Sequence, residues 1–276
     1  MVSRIIAFTK HNPRYLKFNR PEEDSFRYSV KKKRITLVVA DGITRDPLGF
    51  REFPEKFDES AIKKFAASYP NPSPAKIAAD LFCETFVRSG HEQVLKIFEE
   101  CNNKIKRLNH GLKVDYLEND FAACVASGGV IENGILYWGF IADCGICVFN
   151  EKFELVFRTP DEGPRKEIDE DAKKSGKNWN QSEWRARVRS YYRNNTKNPF
   201  SYGAFTGEDS ALKFVKCGKR EIKEKDIVIF YSDGMGPLLF SGEINKLKNV
   251  AELENYVDKN LEKIQGAEGT IVAFEI

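Results

Sequence analysis

Long apolar runs are missing from this chain: no stretch approaches the roughly 20 residues a membrane-spanning helix needs. An excess of one charge is missing too. Lys and Arg number 44 against 41 Asp and Glu, a formal net charge of +3. That balance gives no reason to expect nucleic acid or a membrane as a partner. The first ten residues mix basic and apolar side chains without an apolar core and small-residue cleavage site, so no export signal is read and a cytoplasmic location is expected. The chain has 3 histidines, and His11, His91 and His110 show no metal-ligand spacing. No Gly-x-Ser-x-Gly elbow and no Gly-Lys-Ser/Thr phosphate loop occurs. Cys144-Gly145-Ile146-Cys147 is a lone Cys-x-x-Cys without a second pair, and it lies among strand-like residues where a redox motif would open a helix. With Cys83, Cys101, Cys124 and Cys217, these cysteines read mostly as reduced core residues.

What is present is an ordinary globular balance, 41% hydrophobic and 31% charged over 276 residues, enough for one substantial core. No internal repeat is seen, and one domain over residues 1–276 and a monomer are expected. Ser3–Thr9, Ser25–Val30 and Ile35–Ala40 read as strands, the last almost wholly apolar and therefore buried. A short helix is expected over Glu59–Ser68. Ser73 is an N-cap candidate with Pro74 at the first helical position. Ile77, Ala78, Leu81, Phe82 and Phe86 share the next helix's apolar face, and Val94, Ile97, Phe98, Cys101, Ile105 and Leu108 that of a second. From Phe121 the period shortens: Phe121–Val130, Gly134–Ile141, Gly145–Phe149 and Phe153–Arg158 read as an antiparallel meander. Residues 161–200 form a polar insertion containing Trp179 and Trp184. Strands are expected again at Ala211–Val215, Asp226–Tyr231 and Thr270–Ile276, with a helix over Asn249–Ile264. Helices segregated from antiparallel strands imply an α+β fold.

Two segments share a design. Val38-Val39-Ala40-Asp41-Gly42 and Ile229-Phe230-Tyr231-Ser232-Asp233-Gly234 each end a hydrophobic strand on Asp-Gly. A strand fixes its last side chain, and Gly permits a sharp turn there. Two such carboxylates brought together repel unless a cation lies between them, and oxygen-only ligands suit Mg²⁺ or Mn²⁺. A single Asp-Gly is most often only a turn; two after buried strands weaken that reading.

On these residues the chain resembles the metal-dependent protein phosphatases (type 2C, PPM) in their compact bacterial-like form. Pro21-Glu22-Glu23-Asp24-Ser25 looks like the family's opening acidic motif, and Val39-Ala40-Asp41-Gly42 like its first Asp-Gly motif. Gly139-Phe140-Ile141-Ala142-Asp143-Cys144 sits where the family has a Gly-Asp-Ser-Arg strand. Phe205-Thr206-Gly207, Lys225 through Gly234, and Gly269-Thr270-Ile271-Val272 follow in the family's order. The resemblance covers nearly the whole chain and implies a four-layer β-sandwich, two antiparallel sheets flanked by helices, with two Mg²⁺ or Mn²⁺ ions, and room for a third, at one end. It implies that Asp41 bridges two ions, that the Gly42 carbonyl and Asp233 each bind one, and that Glu23 and Asp24 hold water around them. Asp143 would serve the third site and Arg20 the phosphate. The implied substrate is a phosphoserine or phosphothreonine protein, with a cognate kinase as a further partner.

The chain departs from the family pattern in places. Where the family has a metal-binding Asp just before the terminal Thr, this chain has Ala267-Glu268-Gly269-Thr270, so Glu268 is the substitute ligand to consider. Arg20 lies one residue nearer Asp24 than the family's phosphate-binding Arg. Ser-Arg is replaced by Cys144-Gly145. These departures keep open a second reading, a phosphatase-like module that binds a phosphoprotein or partner with little catalysis. Trp184-Arg185-Ala186-Arg187-Val188-Arg189 reads as a solvated helix with its aromatic side packed inward. The resemblance would make it a flap whose Arg185 and Arg189 help select phosphoproteins.

Overall fold

A computed structural model describes residues 4–16, 21–31, 34–44, 60, 63, 67, 69–179 and 181–276. Arg20 and most of the helix expected over Glu59–Ser68 lie outside the described residues.

Among the described residues, ten strands form two antiparallel five-stranded sheets. One has the order β1 (Arg4–His11), β10 (Glu268–Glu275), β9 (Ile227–Tyr231), β6 (Gly145–Phe149), β7 (Leu155–Arg158). The other runs β2 (Ser25–Lys31), β3 (Arg34–Gly42), β4 (Cys124–Glu132), β5 (Ile135–Phe140), β8 (Lys216–Glu221). Strand β3 shows why the sheets stack. Alternate residues point to opposite faces. Leu37 and Val39 join Phe140, Val148, Phe230 and Val272 in the core between the sheets. Val38 and Ala40 face outward under Phe82, Phe86, Ile97 and Phe98. A strand covered on both faces reads as a continuous apolar run, as Ile35–Ala40 does.

Those covering aromatics belong to α2 (Pro74–Arg88) and α3 (Val94–Leu108), which follow the one-turn α1 (Pro13–Leu16). The Ser73 side chain caps α2 by accepting from the Lys76 N–H at 3.0 Å, with Pro74 opening the helix. The buried face of α2 is Ala75, Ala78, Ala79, Phe82, Cys83 and Phe86, whereas Ile77 is exposed. The fourfold spacing of Ala78, Phe82 and Phe86 sets that stripe, and Ile77 lies beside it. On the opposite outer face Leu238, Leu239, Leu253 and Val257 pack against Ile229, Tyr231, Ile271 and Ala273. The result is the expected four-layer α+β sandwich.

Three features differ from the sequence reading. The meander expected over Phe121–Arg158 is split, with β4 and β5 paired in one sheet and β6 and β7 paired in the other. Asp209–Phe214 is a 3₁₀ helix, and the strand begins at Lys216, pairing Lys216–Glu221 with β5. The mainly apolar segment Ala211 to Val215 mimics a strand, but Leu212, Phe214 and Val215 pack against the helix-facing core. Asn249–Ile264 is not one helix. It divides into a turn at Val250–Glu252, helix Leu253–Asp258 and a turn at Leu261–Lys263. The insertion contains α4 (Arg165–Lys174) and α5 (Ser182–Arg187), the latter continued by a π turn through Tyr192. It has a small core of its own: Ile168, Ala172, Trp184, Val188 and Tyr192. The Cys-x-x-Cys thiols are free and buried on β6 and the turn before it, as core residues.

Candidate metal and phosphate site

The antiparallel registers bring four chain segments to one end of the sandwich. Ser25 opens β2 opposite Ala40 near the end of β3, so Asp24 and Asp41 emerge together. Tyr231, ending β9, pairs with Ile271 near the start of β10, so Ser232–Asp233 lies beside Glu268–Thr270. Backbone approach there is very close: a Cβ on Gly234 would lie 2.0 Å from the Glu268 carbonyl oxygen, and one on Gly42 2.7 Å from that of Glu23. Only glycine fits such contacts.

Each acidic side chain has its own hold. Ser232 Oγ donates to Asp24 Oδ2 at 2.7 Å and accepts from the Thr270 N–H at 2.9 Å, which aims Asp24 at the second Asp-Gly turn. Glu23 Oε1 accepts from Tyr69 OH at 2.9 Å and Ser73 Oγ at 2.7 Å, while its Oε2 accepts from Thr44 Oγ1. Asp143 follows Ala142, whose φ of 58° is a left-handed conformation unusual for alanine. Glu268 turns its carboxylate toward the backbone of Glu23 and Asp24. The structure thus gathers Asp24, Asp41, Asp143, Asp233 and Glu268 into one neighbourhood.

The electrostatics of this neighbourhood are one-sided. Burial, then the charges of Asp24, Asp233 and Asp143, push the Asp41 carboxyl well above its usual range. Asp24 is raised by burial and by Glu268. Burial and Asp233 push Asp143 up to about 7. Asp233 is raised by burial, although a hydrogen bond with Asp41 opposes that rise. Among the described residues no Lys or Arg forms an ion pair with Asp24, Asp41, Asp143 or Asp233. A largely buried all-carboxylate donor set without an ion-paired cation among the described residues fits a hard divalent ion.

Two cavities meet at Asp41, Gly42 and Asp233. The smaller, about 210 Å³, lies toward Asp24, Ala267 and Glu268. The larger, about 570 Å³, opens beneath the insertion, with Asp143 in its lining, Ile168, Trp179 and Val188 as apolar wall, and Arg165, Arg185 and Arg189 as cations. Arg189 is committed elsewhere: its Nε lies 3.0 Å from Asp120 Oδ2, and buried Arg193 holds the same carboxylate with both terminal nitrogens. Arg185 donates to the Trp179 carbonyl at 2.6 Å and to Ser182 Oγ at 3.2 Å. Both arginines thereby hold the insertion together. Arg165 is exposed, and its charge lowers the carboxyls of Asp143 and Asp233.

The sequence reading missed Ser232 and Thr270 as orienting groups, although both sit inside quoted motifs. It also missed the hydroxyls around Glu23, Arg165 and the Asp120 anchor. Thr44, Tyr69 and Ser73 are scattered in sequence and carry no local signal.

No family model and no curated protein sequence matches the chain. Solved structures do. The Mycobacterium tuberculosis serine/threonine phosphatase PstP/Ppp superposes with a TM-score of 0.62 at 14% identity, covering 100% of this chain and 99% of that one. The catalytic domain of PstP in complex with two manganese ions gives 0.61 at 14% identity over 100% and 99%. RsbX in complex with magnesium gives 0.56 at 13% identity over 99% and 94%. The chain has the fold of the type 2C serine/threonine phosphatases.

Proposed function

We propose that the chain is a Mg²⁺- or Mn²⁺-dependent phosphomonoester hydrolase acting on phosphoserine or phosphothreonine in proteins. The observation that carries this reading is the set of buried Asp24 and half-buried Asp41, Asp143 and Asp233 at the sandwich end, without an ion-pair partner among the described residues and opening onto a cavity. Asp41, the Gly42 carbonyl and Asp233 would hold the two ions, with Asp24 and Glu23 arranging water beside them and Asp143 serving a third position. When bound, such an ion pair lowers the pKa of water and neutralises phosphoryl charge.

The chain's own residues supply position. Ser232 fixes the Asp24 carboxylate, and Tyr69, Ser73 and Thr44 fix Glu23. The insertion walls the larger cavity and limits water. Arg165, exposed on that lining, is placed to meet phosphoryl oxygens as they approach Asp143 and Asp233.

One observation favours a second reading. Ala267 lines the smaller cavity without a carboxylate, and this supports a phosphoprotein-binding module with little turnover. Hydrolysis of p-nitrophenyl phosphate and of a phosphothreonine peptide, with Mn²⁺ titrated in and Asp41→Asn as control, separates the two. Mn²⁺-dependent turnover that disappears in Asp41→Asn is expected. Turnover no greater than that of the control would sink the hydrolase reading in favour of the binding module.

A further inference from the structure

We infer that Glu268 is a positioning residue, a carboxylate clamp on the backbone of the Glu23–Asp24 segment, and does not serve as a metal ligand in place of Ala267. Its metal-related half rests on the proposed function; the clamp itself does not.

Glu268 opens β10 in direct register with His11 at the end of β1. Its Oε1 accepts from two consecutive backbone donors, the Glu23 N–H at 2.6 Å and the Asp24 N–H at 3.0 Å. Its Oε2 is sealed from solvent with no hydrogen-bond partner among the described residues, and it lies 3.7 Å from His11 Nδ1. One oxygen is therefore spent on the backbone, and the other faces the imidazole. A ligand replacing a carboxylate at position 267 would instead need an oxygen free toward Asp41 and Asp233.

The clamped segment is held from its other side by α2. Lys76 Nζ lies 2.9 Å from Glu22 Oε1 and donates to the Asp24 carbonyl oxygen. Ser25 Oγ donates to Asp80 Oδ1 at 2.7 Å. Glu268 supplies the anchor from β10, so the segment carrying Asp24 bridges the two sheets' ends. Asp24 is aimed by Ser232 only while its backbone stays in place. His11 completes the arrangement by facing Glu22 with Nε2 at 3.5 Å and Glu268 with Nδ1.

The test uses Glu268→Gln, Glu268→Ala and wild type, first stripped of metal. A Gln carbonyl oxygen can still accept from both N–H groups, and its amide can face His11. Hydrogen–deuterium exchange is read at the Glu23 and Asp24 amides. The clamp predicts roughly tenfold or greater loss of protection in Glu268→Ala, as befits removal of a charged acceptor, and protection restored largely in Glu268→Gln. Equal protection in all three proteins would overturn the clamp. Mn²⁺ binding is then measured by calorimetry. The clamp predicts that Glu268→Gln binds within about threefold of wild type, because no ligand charge is lost. A loss in Glu268→Gln as deep as that in Asp233→Asn would overturn it by identifying a ligand. If wild type itself binds no Mn²⁺, the proposed function fails while the exchange result still decides the clamp.

Discussion

Two clusters of charge flank the larger cavity, one reaching its lining through Arg189 and the other through Asp41, Asp143 and Asp233, and they are balanced in opposite ways. Under the insertion, Asp120 is matched twice, by Arg193 through both terminal nitrogens and by Arg189. Aromatic rings of Tyr116 and Phe121 lie beside the Arg193 guanidinium. At the strand ends, Asp24, Asp41, Asp143 and Asp233 are brought together without such a partner among the described residues, and their carboxyls are all pushed upward. The first cluster closes its own electrostatics and so fixes the insertion. The second has, among the described residues, only the exposed Arg165 as a nearby opposing charge, and under the proposed function a divalent ion would balance it. A self-balanced cluster is structural, and an unbalanced one is a place for a ligand.

The sharpest break in the comparison comes from unbalancing the balanced side. Arg193 is wholly buried, so Arg193→Met leaves Asp120 short of its bidentate partner in a dry setting. The expected cost is about 3–5 kcal/mol in urea unfolding, with the insertion becoming protease-sensitive. Replacing Asp120, Arg189 and Arg193 together by apolar residues should cost much less, because no charge of the cluster is left without its partner. A single replacement that unfolds at the wild-type midpoint would refute the anchor.

The next effect is steric and falls on the unbalanced side. Gly234→Ala puts a methyl 2.0 Å from the Glu268 carbonyl oxygen, backbone against backbone. Separating β10 from the second Asp-Gly turn is expected to cost about 1–3 kcal/mol and to weaken Mn²⁺ binding at the same time. Loss of stability with unchanged Mn²⁺ affinity would show that this close approach does not shape the site.

How far the sequence disclosed the two clusters follows from the same contrast. Asp41 and Asp233 were legible because local pattern carries them: an apolar run, then Asp-Gly, twice; Asp24 and Asp143 came from the family resemblance. The α+β class was legible through the continuous apolar run of β3 and the helical spacing of Ala78, Phe82 and Phe86, and the four-layer sandwich through the resemblance. The balanced cluster was not, since Asp120 and Arg193 are paired only by the fold, and Arg189 looked like a surface cation. Strand β8 was displaced because Ala211–Val215 is apolar for the sake of the helix layer, whereas Lys216–Glu221 is a polar edge strand with little pattern to read. The role of Glu268 depended on a contact across more than two hundred residues of chain.

A smaller test removes an acid from the unbalanced cluster. In metal-free buffer Asp41→Asn relieves repulsion among buried carboxylates and should stabilise the fold by about 1–2 kcal/mol. Wild type should gain thermal stability on adding Mn²⁺ while the variant gains little. An Asp41→Asn protein less stable than wild type without metal would mean that the cluster is balanced internally after all.

The least effect lies at the insertion's surface, where the balanced pattern extends outward. Asp171 Oδ2 accepts from Tyr192 OH at 2.5 Å and faces Arg187 at 3.3 Å, and the Tyr192 hydrogen bond is the largest cause holding its carboxyl below the usual range. A depressed carboxyl favours the folded insertion at pH above the unfolded value near 4. That contribution fades as pH falls through the lower folded value. Tyr192→Phe keeps the ring in the small core with Trp184 and Val188 but removes the donor. Its cost near neutral pH should be under about 1 kcal/mol, read from proteolysis rates within the insertion. The difference from wild type should shrink in acid, because protonated Asp171 no longer distinguishes the two proteins. A difference that persists below pH 3 would assign the Tyr192 effect to packing, and would confine the charge-balanced part of the insertion to Asp120 and its two arginines.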